Sequence, residues 1–68
     1  MTGPYEATTE YALNTPFHKV IDARYPNSAQ NRKTYATREA AEIAAMRLNG
    51  KWLIAEADRQ ERLAAYAA

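Results

Sequence analysis

The fold is decided by residues 17–48, which have the sequence FHKVIDARYPNSAQNRKTYATREAAEIAAMRL. This pattern predicts two strands around a polar turn, followed by an amphipathic helix. Residues 17–25 alternate, with Phe17, Ile21 and Tyr25 on the predicted core face. Pro26 ends this strand because proline has no amide hydrogen, and the polar residues after it suit a hairpin loop. The returning strand is predicted at about residues 32–36.

An earlier stretch completes the predicted sheet. Residues 5–13, YEATTEYAL, alternate with a period of two and are rich in tyrosine and threonine, which is typical of a half-buried strand. Pro16 favours a turn over residues 14–16. We therefore expect three antiparallel strands, at about residues 5–13, 17–25 and 32–36.

An amphipathic helix follows the predicted sheet. Thr37 is a favourable N-cap, and Glu39 lies in the first turn, where the helix dipole stabilises an acid. The helix is predicted over about residues 38–49. Its core face should carry small and aliphatic side chains, namely Ala40, Ala41, Ile43, Ala44 and Leu48.

The end of this helix is predicted at Asn49 and Gly50, because glycine readily adopts the left-handed conformation that ends many helices. A second helix is predicted over about residues 52–66, which have high helix propensity. The alternative is that KWLIA, within residues 51–57, forms a short fourth strand before a helix that begins near Glu56. The expected fold is a single α+β domain spanning residues 1–68. It has a three-stranded antiparallel sheet packed on one helix, with a second helix at the C-terminus.

Composition narrows the possible functions. The 68 residues include no cysteine and one histidine, His18, which excludes disulfides, thiolate metal sites and imidazole clusters. The two glycines cannot form a glycine-rich phosphate loop. With this loop and the usual nitrogen and sulfur metal ligands lacking, we expect no cofactor and no metal. No apolar run is long enough to span a membrane, and the first residues lack a secretory signal. A cytoplasmic location is expected.

The candidate nucleophilic trio, His18, Asp22 and Ser28, fails on geometry. Four residues along a strand separate His18 from Asp22, so their Cα atoms would be about 13 Å apart, too far for a direct hydrogen bond between the side chains. Paired carboxylates on the predicted helices are flanked by arginines, which suits solvated ion pairs. We therefore expect a protein that is not an enzyme.

Positive charge is concentrated in the middle of the chain. Residues 17–38 carry five basic residues and one acid, a net of +4, whereas residues 1–16 carry −2 and residues 39–68 carry −1. These cations could contact phosphates or an acidic partner, and neighbouring amides could contact bases or a protein backbone. The alternative is that they are solubilising charges that discourage strand-to-strand aggregation. The predicted partner-binding residues in this region are Lys19, Arg24, Asn31, Arg32, Lys33 and Arg38.

Two aromatic residues extend the predicted interface. The aromatic residues on alternating strand positions are expected in the core. Trp52 follows the predicted helix stop, and Tyr66 lies near the end of the chain. If exposed, both would be natural anchors for a protein partner.

Residues 17–48 resemble a known family through the run KTYATREA, from Lys33 to Ala40. This pattern is similar to the arm-type DNA-binding domains at the N-termini of phage tyrosine integrases. The resemblance implies a three-stranded sheet that packs on a helix and lies in the major groove. In general style the chain also resembles small phage accessory proteins, among them inhibitors of host defence systems of the anti-CRISPR kind.

The expected function is stoichiometric binding. We expect a phage or mobile-element inhibitor or adaptor that docks on a host protein or nucleoprotein complex through the basic hairpin and the C-terminal helix. One alternative is a DNA-binding module that uses the basic three-stranded sheet, for which affinity should fall steeply with salt. A second alternative is a structural homodimer that uses the C-terminal helix, for which the melting temperature should depend on concentration.

Overall fold

A computed structural model describes residues 3–67 of the chain. In order, the elements are strand β1 (Tyr5–Ala12), strand β2 (Thr15–Asp22), a short 3-10 helix (Ala29–Arg32) and one long helix α1 (Arg38–Ala67). The domain is α+β. However, the prediction of three strands and two helices is wrong, because residues 3–67 form a two-stranded sheet and a single α-helix.

The two strands form an antiparallel hairpin whose open end pairs Tyr5 with Asp22. Leu13 and Asn14 connect the strands, with φ angles of 51° and 67°. Two consecutive left-handed residues are the signature of a type I′ turn, whose twist matches that of the flanking strands. The turn is therefore tighter than predicted, and Pro16 lies inside β2, one position from its start.

The core face of β2 is the opposite of the predicted one. Val20 pairs with Ala7 of β1 and is fully buried, whereas Phe17 is 38% exposed. Alternation determines which residues share a face of the strand, but it does not determine which face meets the helix. The structure shows that the side with Val20 and Asp22 is covered, so Phe17 and Ile21 lie on the other side.

Residues 32–36 do not form the predicted third strand. Only Tyr35 pairs with β2, where its backbone N–H donates to the carbonyl of His18 at 2.8 Å. On the same edge of β2, the backbone N–H of Asp22 donates to the side-chain Oδ1 of Asn31, also at 2.8 Å. A side-chain amide therefore takes the place that a strand carbonyl would occupy in a continuous ladder.

Helix α1 begins where predicted but does not end there. Thr37 Oγ1 accepts a hydrogen bond from the backbone N–H of Ala40 at 3.0 Å, which confirms the N-cap. Gly50 continues the helix, and among residues 3–67 no glycine has a positive φ. Asn49 is 6% exposed, and its amide binds both backbone groups of Tyr5 at 2.9 Å. The residue predicted to end the helix thus ties the helix to β1.

The core between the hairpin and α1 is small. Its buried apolar residues are Val20, Ala41 and Ala45, and Tyr5, Ala7, Tyr35, Ala44 and Leu48 pack around them. Ile43, which was predicted on the core face of the helix, is 44% exposed. Alanines at the contact let the helix approach the hairpin closely, at the cost of a shallow core.

The second half of α1 reaches past the hairpin. The helix has 30 residues, which corresponds to a length of about 45 Å. From Leu53 to Tyr66 every side chain except that of Glu56 is exposed. No helix within residues 3–67 has the length and apolarity needed to cross a membrane.

Candidate functional site: a cationic groove beside helix α1

One wall of the candidate site is built by the segment between β2 and α1. Ser28 caps the 3-10 helix, with its Oγ accepting from the backbone N–H of Gln30 at 3.2 Å. The side chain of Gln30 in turn donates to the hydroxyl of Tyr35 at 3.0 Å. Because Tyr35 is also held by its backbone bond to β2, its ring has a fixed position beside α1. Lys33 lies on this wall, next to Tyr35.

Helix α1 forms the opposite wall. Arg47 and Lys51 are four residues apart and therefore project from the same side of the helix. Between the two walls lies an open groove of about 440 Å³. We call it the cationic groove; it is lined by Gln30, Lys33, Tyr35, Ala40, Ile43, Ala44, Arg47, Leu48 and Lys51.

The electrostatics of this groove are one-sided. Lys33, Arg47 and Lys51 line it, and no acidic residue of the described part of the chain does. The ion pairs formed within residues 3–67 involve none of these three cations. Three like charges around one cleft repel each other, and a carboxylate or phosphate placed between them relieves that repulsion. The half-buried ring of Tyr35 and the side chain of Leu48 add apolar contact area.

Three of the predicted partner-binding cations have intramolecular partners instead. Lys19 Nζ lies 2.9 Å from a carboxylate oxygen of Glu10. Arg38 Nε lies 3.2 Å from a carboxylate oxygen of Glu42, and its Nη1 donates to Thr9 Oγ1 at 3.3 Å. Charges that are neutralised locally contribute less to attracting a partner.

Arg24 is held most firmly. Its Nε and Nη2 each donate to one carboxylate oxygen of Asp22, both at 3.1 Å. Its guanidinium also lies over the rings of Tyr5 and Tyr25, at 5.6 and 5.1 Å from their centres. This hydrogen-bonded guanidinium holds the pKa of the Asp22 carboxyl below its usual value. Arg24 therefore links residues at the open end of the hairpin, where Tyr5 pairs with Asp22.

Asn31 and Arg32 have different environments. The Asn31 amide accepts from Asp22 as described above and donates to the carbonyls of Tyr25 and Pro26, at 3.1 and 3.2 Å. With these bonds Asn31 supports the loop. Arg32 is exposed in the last turn of the 3-10 helix, outside the groove. Of the predicted cations, only Lys33 belongs to the cationic groove.

The two predicted aromatic anchors differ in exposure. Trp52 is half-buried, and Tyr66 is 93% exposed near the end of α1. Counting about 100° per residue, Trp52, Leu63 and Tyr66 lie on the side of the helix that carries the core residues further back. Past the hairpin no other element covers this side of the helix within residues 3–67, and Leu63 and Tyr66 are exposed there.

Catalytic and metal-binding groups are sparse in the described residues. His18 Nδ1 and Thr9 Oγ1 lie 3.0 Å apart at a half-buried position, where they act as hydrogen-bond partners. Within residues 3–67 no group of three or more potential ligands among His, Cys, Asp and Glu is placed to hold a metal ion.

Arg47 and Lys51 were missed as site residues. The predicted helix stop lies between them, so they appeared to belong to different elements. The signal that joins them is the spacing of Ala41, Ala45, Leu48 and Trp52, which continues with helical period across Gly50.

Comparisons with known proteins leave the site to be interpreted from its own chemistry. No protein-family model matches the chain, and neither the curated proteins nor the solved structures gave a match.

Proposed function

We propose that this chain is a cytoplasmic, non-enzymatic binding protein that docks on a larger protein or nucleoprotein, in the manner of a small phage or mobile-element inhibitor or adaptor. The observation that carries the proposal is the cationic groove. Three cations without ion-pair partners in the described chain, Lys33, Arg47 and Lys51, stand around an apolar floor. This combination suits an acidic surface segment of a partner, whose carboxylates would meet the cations.

The overhanging part of α1 would extend this interface. Leu63 is 51% exposed and Tyr66 is 93% exposed, on the side of the helix that continues the core stripe. Large exposed apolar and aromatic side chains are common anchors of protein interfaces. The groove would supply charge attraction, and this side of the helix would supply buried apolar area.

Docking on DNA through a three-stranded sheet is not proposed, because the third strand is absent from residues 32–36. Lys19, Arg24 and Arg38 also have acidic partners within the chain. A protein partner, or the protein part of a nucleoprotein, agrees better with the small number of cations that have no ion-pair partner within residues 3–67.

The proposal is tested with two probes, a fluorescent poly-glutamate peptide and a mixed-sequence DNA duplex. Each is titrated with the protein while anisotropy is measured, at about 50 mM and about 200 mM salt. We expect the peptide to bind, and Lys51→Glu to weaken its binding about tenfold. Arg62→Glu is the matched control, since it makes the same charge change on an exposed helix position outside the groove.

Equal loss of peptide binding in Lys51→Glu and Arg62→Glu would contradict the groove as the binding site. Tight binding of the duplex with no binding of the peptide would contradict a protein partner. It would instead show that the groove contacts phosphates.

A further inference from the structure

Helix α1 has a second apolar stripe, on the side that faces away from the hairpin. Four large apolar side chains are exposed along it: Ile43 (44%), Met46 (57%), Leu53 (38%) and Ile54 (74%). Ile43 lies at the edge of the stripe and also lines the cationic groove. At about 100° per residue, Ile43 points roughly opposite to the buried Ala45, so this stripe cannot contact the sheet. We call it the outer stripe.

The outer stripe has the spacing of a helix-pairing surface. Apolar or small residues recur at alternating steps of three and four, namely Ile43, Met46, Gly50, Leu53 and Ala57. The polar Gln60 occupies the next position of the series, and Ala64 continues it. Such 3-4 spacing is the seam of a two-helix coiled coil. The stripe begins above the core and runs along the overhang, so it needs a partner that is itself a long helix.

We propose that the outer stripe binds a second copy of this chain, with the two α1 helices antiparallel and Ile54 next to the twofold axis. Arg47 and Glu61 lie seven residues before and after Ile54, on the same flank of the stripe. An antiparallel twofold therefore places Arg47 of each copy opposite Glu61 of the other. Neither residue has an ion-pair partner within residues 3–67.

The same register also matches side-chain sizes. Along the seam between the two flanks, it places Leu53 opposite Ala57 of the second copy, Met46 opposite Ala64, and Gly50 opposite Gln60. Large residues facing small ones let the two helices interdigitate without gaps. A shift of one heptad in either direction would remove the contact between Arg47 and Glu61, so charge and size together select one register.

Pairing also accounts for the overhang. A helical segment of this length is marginal in water without tertiary contacts. In the antiparallel pair, the overhang of each copy lies along residues 43–57 of the other. Arg47, one of the three groove cations, is then paired with Glu61 of the second copy, so Lys33 and Lys51 are the groove cations left for another partner. The side with Trp52 and Tyr66 stays open. The pairing is argued from the outer stripe and its flanking charges, so it does not require that the groove bind a partner.

The mass in solution tests the pairing. Sedimentation of the full chain over about 1 µM to about 1 mM should show a concentration-dependent species of twice the 7.7 kDa chain mass. Ile54→Glu should be monomeric with an unchanged far-ultraviolet circular dichroism spectrum, because Ile54 contacts little within its own chain. Ala55→Glu, which points away from the stripe, should still pair. A wild-type monomer at every concentration, or a dimer that survives Ile54→Glu, would overturn the proposal.

A charge swap tests the register. Arg47→Glu and Glu61→Arg should each weaken pairing about tenfold, since each turns two attractions into two repulsions. The double variant should pair like the wild type. A double variant that pairs no better than the single variants would overturn the antiparallel arrangement about Ile54. Neither measurement uses the peptide probe, so failure here is distinct from failure of the groove.

Discussion

The sharpest stability prediction concerns Asn49, whose buried amide joins α1 to β1. Asn49→Ala removes the two hydrogen bonds to the backbone N–H and C=O of Tyr5, each 2.9 Å long. Leaving two part-buried backbone groups without partners costs about 2–4 kcal/mol. Alanine recovers roughly 0.5–0.7 kcal/mol through its higher helix propensity. The free energy of unfolding should therefore fall by about 1.5–3 kcal/mol, which is a large part of the roughly 3–10 kcal/mol expected for a domain of this size.

The assay is urea unfolding followed by far-ultraviolet circular dichroism. Asn27→Ala is the matched control, since Asn27 is exposed and lies outside the helix. It should change the free energy of unfolding by less than about 0.5 kcal/mol. If Asn49→Ala is as mild as the control, the helix is not tied to β1 through this amide, and the account of how α1 is positioned is refuted.

Three further predictions concern the hairpin and the segment before it that contacts α1. Leu13 has a φ of 51° and is 99% exposed. Asparagine adopts a positive φ more readily than leucine, so Leu13→Asn should raise the free energy of unfolding by about 0.5–1 kcal/mol in urea titrations. A lower free energy of unfolding would contradict the type I′ turn. A Cβ on Gly3 would collide with the side chain of Asn49. Gly3→Ala should therefore lower the melting temperature, and an unchanged value would contradict that close approach. The hydrogen-bonded guanidinium of Arg24 holds the pKa of Asp22 below its usual value in the folded state, so the Asp22 carboxylate contributes stability above the unfolded pKa. That contribution is lost as the pH falls through the lower, folded pKa. Unfolding measured down the acid limb should show this loss, and Asp22→Asn should reduce it; an unchanged acid limb would contradict the pairing with Arg24.

Local signals predicted the parts of the fold that depend on neighbouring residues. The alternation of residues 5–13 located β1, which ends at Ala12. Thr37 located the start of α1 because an N-cap acts within one turn of the chain. These features required no knowledge of distant contacts.

Two wrong predictions, the helix end at Gly50 and the third strand, were overturned by contacts between residues far apart in sequence. Asn49 and Gly50 form a common helix stop, but the amide of Asn49 binds Tyr5, 44 residues away, and the helix continues. Asn31 fills the edge of β2 with a side chain, so the third strand does not form. Neither bond leaves a local trace in the sequence, and tertiary contacts override propensity in both places.

Only part of the candidate site could be predicted, again because the rest depends on contacts between residues far apart in sequence. Lys33 was identified from the cluster of positive charge between residues 17 and 38. That cluster could not show that Lys19 and Arg24 have acidic partners across and beside their strand. Arg47 and Lys51 complete the groove only because α1 continues through Gly50.

The continuity of α1 through Gly50 is the central claim, since it carries both the cationic groove and the outer stripe. Urea unfolding of Gly50→Ala tests it most directly, in an Ile54→Glu background so that self-association does not contribute. A Cβ at Gly50 meets no atom within 4 Å. In a continuous helix, alanine should therefore raise the free energy of unfolding by about 0.5–1 kcal/mol. If Gly50 were instead a left-handed helix stop, alanine would lower it by about 1–2 kcal/mol, and that result would contradict the account.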